Sequence, residues 1–135
     1  MTDIGPLRPP SLDDLDAIAQ RAFATLPAEF RALCEGLVIQ VADFPDAETL
    51  REMQAESEYD ILGLFRGRGL AQGGATAQTG ALPNMIWLYR QPLLEYWREG
   101  EDSFEAVVAH VLIHEIGHHF GLSDDDMYGI EARIP

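Results

Sequence analysis

Residues Ser103 to Gly121, SFEAVVAHVLIHEIGHHFG, constrain this chain more than any other stretch. Ser103 is a good helix N-cap, and Gly121 can take the left-handed conformation that ends a helix. Between them Phe104, Val107, Val108, Val111, Leu112, Ile113 and Ile116 are spread over more than one helical face. A helix that is apolar nearly all round is a buried one. This segment is therefore expected to be the central element of the core. Yet it also carries Glu115 and all four histidines of the chain, His110, His114, His118 and His119. Polar groups in apolar surroundings need compensating partners. The same helix thus points to a core and to a site.

The rest of the chain supplies what such a helix would pack against. Ser11 caps a helix over SLDDLDAIAQRAFATL, with aspartates in its first turn and Leu12, Leu15, Ile18, Ala19 and Ala22 at helical spacing. Pro27 suits the start of a second helix to Glu35. Three strands are expected: 37–43 with Leu37, Ile39 and Val41 on one face, 60–67, and 84–90 with Met85, Trp87 and Tyr89 on one face. A polar helix over 46–55, a short helix from Pro92 to about Trp97 and a last helix from about Asp125 to Glu131 complete the reading. Helices, short strands and helices in that order predict an α+β domain. In it a small twisted sheet of three or four strands packs on the buried helix. Residues 1–10, with three prolines, read as a loosely ordered arm, and residues 11–135 as a single domain. The glycine-rich stretch 66–84 lacks periodicity and reads as a wide hairpin or a mobile flap.

Charge narrows the partners. The chain has nine arginines, no lysine and a net charge of −14. Nucleic acid and anionic membrane surfaces are therefore excluded as expected partners, since both need clustered cations. Cys34 is the lone cysteine, so no internal disulfide is possible. The N-terminus MTDIGPLRPP has no apolar leader pattern, and Ala106–Ile113 is too short to span a bilayer. A reducing cytoplasm is the expected location.

His114 and His118 are one helical turn apart and about 40° from each other around the axis. Two imidazoles so placed can converge on one metal ion, and zinc suits them. Glu115 flanks the pair, within reach of a water held on that ion. This is the H-E-x-x-H signature, in which the metal acidifies a water and the glutamate takes its proton. The helix must then stop so that a third ligand can arrive. Asp124 lies six residues after His118, at the third-ligand position of the longer H-E-x-x-H-x-x-G-x-x-H pattern. Asp125 and Asp126 are neighbouring alternatives, and Glu131 a more remote one. The aspartates of SDDD could equally serve to cap the final helix. His110 reads as a hydrogen-bonded core histidine or a support for a ligand. His119, about 100° from His118, reads as outside the site, and Met127 as a core methionine.

HEIGHHFGLSD, preceded by IWLYRQPL, resembles the zincin-like metallopeptidases, small bacterial proteins also called minimal zincins. The resemblance runs from about residue 28 to the end. It implies a compact zincin fold, one catalytic zinc per chain and peptidase activity. By motif position it makes His114 and His118 ligands, Glu115 the general base and Asp124 the third ligand. The expected function is hydrolysis of peptide bonds in a peptide or protein substrate. A zinc-stabilised binding or regulatory protein that cleaves nothing, and a hydrolase of non-peptide amides, are the alternatives. Tyr128, Tyr89 and Arg90 are candidates for a second donor to the developing oxyanion. The strand 84–90 is expected to accept an extended peptide along its edge.

Overall fold

A computed structural model of the chain describes residues 8–66 and 84–134. Helix α1 (Leu12–Ala24) starts at Ser11, whose hydroxyl and backbone form a reciprocal capping box with Asp14. A short helix α2 (Ala28–Arg31) runs into one tight turn, Ala32–Cys34. Then come strand β1 (Val38–Ala42), helix α3 (Ala47–Glu52) and strands β2 (Gly63–Arg66) and β3 (Met85–Tyr89). Three helices close the chain: α4 (Arg90–Glu99), α5 (Phe104–His119) and α6 (Asp124–Ala132). The α+β expectation holds, with a three-stranded sheet among the described residues.

The strand order is β1-β3-β2, with β1 parallel and β2 antiparallel to β3. This corrects one expectation. β3 is the central strand, hydrogen-bonded on both sides, so it cannot take up a peptide by edge pairing. Among the described residues β2 is an edge strand, and β2 lies against α5. The expected hairpin or flap falls on residues 67–83, outside the described residues. The expected N-terminal arm is likewise described only from Arg8.

Alternation along β3 explains the layers. Ile86 and Leu88 are fully buried and belong to the main core cluster with Val108, Val111, Leu112, Ile113 and Ile116 of α5. Leu37, Ile39 and Val41 pack against the same cluster, and Leu15 and Ala19 of α1 belong to it. The helix that the sequence marks as buried is indeed the core's centre. Two glycines let its neighbours approach. A Cβ at Gly63 would stand 2.9 Å from Val111 Cγ1 and 3.0 Å from the Trp87 carbonyl, so β2 lies on α5 only because residue 63 has no side chain. A Cβ at Gly117 would collide with Met127, which is fully buried beneath it.

Candidate metal centre

α5 ends where the sequence predicts. Gly121 adopts φ +79°, its N–H bonds to the His118 carbonyl, and Leu122 N–H bonds to the Gly117 carbonyl at 2.9 Å. These two bonds satisfy the last carbonyls of the helix. Ser123 then caps α6 at once, in a second capping box with Asp126. The turn is so short that α6 folds back along α5. Contacts follow in opposite directions on the two helices: His118 with Asp124, Gly117 with Met127, His114 with Tyr128 and His110 with Glu131. Met127 is therefore a core residue that seats α6 on α5.

The hairpin brings together a ladder of imidazoles. The rings of His110 and His114 lie 4.1 Å apart, and those of His114 and His118 lie 6.0 Å apart. Glu131 spans the upper pair. Its Oε1 is 3.0 Å from His114 Nε2 and its Oε2 is 2.8 Å from His110 Nδ1. The ligand atoms of His110, His114 and Glu131 all lie within 4.8 Å of one another, a group able to hold a metal ion. Asp124 Oδ1 stands 4.0 Å from His118 Nε2, and both side chains are largely exposed. Of the expected ligands only His114 belongs to that group; His118 and Asp124 face each other nearer the turn of the same hairpin.

The carboxylates of this region sit in opposite electrostatic settings. Burial pushes the Glu115 carboxyl above the usual glutamate range, and the nearby His118 offsets this only in part. Burial also acts to raise Glu131, but hydrogen bonds from His110 and His114 outweigh it and hold that carboxyl below its usual range. Glu115 is therefore the more basic of the two and Glu131 the better permanent anion.

The donor set fits zinc. Imidazole nitrogen and carboxylate oxygen are its ordinary ligands, and two such atoms on one tetrahedral ion stand roughly 3.3 Å apart. The 3.0 Å separation of His114 Nε2 and Glu131 Oε1 is close to that value.

Other candidate residues sort cleanly. Tyr128 packs its ring 5.3 Å from that of His114 and is 58 % exposed, so it lies at the site. Tyr89 does not. It stacks on Trp87 on the opposite sheet face from Ile86 and Leu88, beside Phe44 and Thr49. Arg90 is committed elsewhere: its guanidinium bonds to the Pro10 carbonyl and to Asp43. Both therefore drop out as oxyanion donors. His119 turns away as expected and packs on Phe65 of β2, with ring centroids 4.2 Å apart. The residue that sequence reasoning undervalues is Glu131, because little chain remains to bring it back. Seven residues separate it from Asp124, which is two turns of α6. An immediate helical reversal therefore returns it to His114 and His110.

The zincin-like metallopeptidase family matches residues 34–133. No curated protein matches the chain. A solved structure described as a conserved hypothetical protein from Thermo thermophilus is similar in fold. It has a TM-score of 0.53 and 23 % sequence identity, over 88 % of this chain and 98 % of that one. With the motif, the buried helix and a match across most of its length, the chain belongs to the zincin-like metallopeptidase family.

Proposed function

We propose that this protein is a zinc-dependent peptidase, in which Glu115 is the general base. His114 and His118 would hold the ion together with a carboxylate from α6, where Asp124 and Glu131 each face one of the two histidines. Zinc, when bound, supplies Lewis acidity toward the scissile carbonyl and acidifies water.

The chain's own groups do the rest. The Glu115 carboxylate takes a proton from the attacking water and returns it to the leaving amine nitrogen. Its burial raises its basicity, which favours its taking up the proton. Tyr128, beside His114, has a phenol able to donate to the developing oxyanion. Strand β2, an edge strand among the described residues and packed on α5, offers backbone groups to an extended peptide. The substrate is accordingly a peptide or an unfolded protein segment.

The observation that carries this reading is the half-buried Glu115 next to His114 on a helix with no structural need for a carboxylate there. The test is Glu115→Gln against a library of fluorogenic peptides. Zinc content should be unchanged and the hydrolysis rate should fall by about 10²–10⁴-fold. Equal hydrolysis by the variant would remove Glu115 from the mechanism. Zinc binding without cleavage of any peptide by the wild type would favour a metal-stabilised binding protein.

A further inference from the structure

The sheet has a second face, turned away from α5, and a cleft lies on it. Trp87 and Tyr89 alternate with the buried Ile86 and Leu88 along β3, so their rings share this outer face. The two rings run parallel, 8° apart in plane with centroids separated by 6.3 Å. Ala42, in register with Tyr89 on β1, adds only a methyl beside them. Asp46 and residues of α3 form the opposing wall, and the space between measures about 400 Å³. We propose that this cleft binds the guanidinium of an arginine side chain presented by a peptide segment. The inference stands apart from the zinc reading, because α5 and its histidines belong to the other face of the sheet.

Three observations carry it. The first is charge. Asp46, Glu48 and Glu52 bring three carboxylates to the lining, against the single guanidinium of Arg66. Asp46 is held ionised, since its carboxylate accepts the Thr49 N–H at 2.8 Å and this draws it below the usual aspartate range. The second is that the cleft already accommodates one guanidinium. Arg66 Nη2 donates to Thr49 Oγ1 at 3.2 Å and to Glu52 Oε1 at 2.9 Å. Thr49 is buried, so its hydroxyl is a fixed acceptor in the wall. Arg66 offsets Glu52 and leaves the carboxylates of Asp46 and Glu48 in excess.

The third is the aromatic lining. Phe44 joins Trp87 and Tyr89 in the cleft, and Tyr59 stands edge-on to Phe44 with centroids 5.2 Å apart. A cation is attracted to the face of such rings, most strongly to that of tryptophan. A guanidinium is planar and weakly hydrated. It can lie on a ring while its edge N–H groups reach carboxylates, which a compact, strongly hydrated ammonium does less well. A cavity with apolar walls and a few convergent polar groups is the ordinary form of a binding site.

The experiment titrates the isotope-labelled full chain with N-acetyl-arginine methylamide and follows it by NMR. The chain has two tryptophans, Trp87 in the cleft and Trp97 packed on Phe104. Their two indole N–H signals are assigned with Trp97→Phe. The Trp87 signal should move and saturate at millimolar probe, while that of Trp97 stays in place. The citrulline analogue has the same shape without the charge and should bind roughly tenfold or more weaker. Glu48→Gln should weaken the arginine probe by about two- to fivefold, and Arg66→Gln, which removes the competing cation, should tighten it by a similar factor. Glu101→Gln and Arg98→Gln make the same charge changes outside the cleft and should leave binding near wild type.

A Trp87 signal that does not move, or one that moves no more than that of Trp97, overturns the site. So does a citrulline analogue that binds as tightly as arginine. Remote variants that match the cleft variants would reduce the effect to general attraction toward a chain of net charge −14 and overturn it equally. A lysine analogue as tight as arginine would overturn the choice of guanidinium.

Discussion

The two ends of the α5–α6 hairpin are built from the same residue types and behave differently. At the end nearest the turn, His118 and Asp124 face each other across 4.0 Å with both side chains mostly in solvent. At the far end, Glu131 is held between His110 and His114 at 2.8 and 3.0 Å, and its surroundings are partly buried. Motif spacing counts residues along the chain and so favours the near end. Packing counts distance across the hairpin and draws the side chains closer at the far end. What sets that closeness is the abrupt reversal after Gly121, together with Met127 locking into the space left by Gly117.

His114 stands between the two ends, its ring 6.0 Å from that of His118 and its Nε2 3.0 Å from Glu131, so its loss should have the largest effect. His114→Ala should abolish stoichiometric zinc binding and hydrolysis together, measured by elemental analysis and peptide turnover. Full zinc content in that variant would mean that neither end is the site. Next comes the seat of the hairpin. Gly117→Ala puts a Cβ into Met127 and should cost about 1–3 kcal/mol by chemical denaturation. It should weaken zinc more than the comparable Gly63→Ala, which crowds Val111 on the sheet side of α5. Equal effects on zinc would show that the register of α6 does not control the site.

The two glutamates offer a smaller but sharper contrast, read in metal-free protein. Glu115 is raised, so the folded state holds its proton more tightly than the unfolded chain. Stability is therefore lost as pH climbs above the unfolded value of about 4.5 through the raised folded value. Glu115→Gln should accordingly be more stable than wild type at neutral pH, by a few degrees in Tm, with the gain shrinking as the pH falls toward the unfolded value. Glu131 is lowered, so its contribution is present above the unfolded value and lost as pH falls through the folded one. Glu131→Gln should be less stable than wild type at neutral pH and converge with it in acid. Shifts of the same sign in both variants would contradict the opposite settings of the two groups.

Much of this is legible in the residues. Ser11, Ser103 and Gly121 mark helix ends by local chemistry, and Leu37, Ile39 and Val41 mark a strand face by alternation. The i, i+4 spacing of His114 and His118 needs only helix geometry. What stays hidden depends on pairing between distant segments. Nothing in MIWLY says that it lies between two strands, because an interior strand and an edge strand covered by a helix carry similar apolar patterns. Tyr89 and Arg90 pass as oxyanion donors only while the sheet face they occupy is unknown. Glu131 is underrated for the same reason, since its place is set by the hairpin register and not by its distance from the motif.

The most direct test of the central claim is the zinc content of the purified chain, before and after reconstitution and removal of excess metal. The predicted result is one zinc per chain, lost in His114→Ala. A wild-type protein that retains no zinc under these conditions would contradict it.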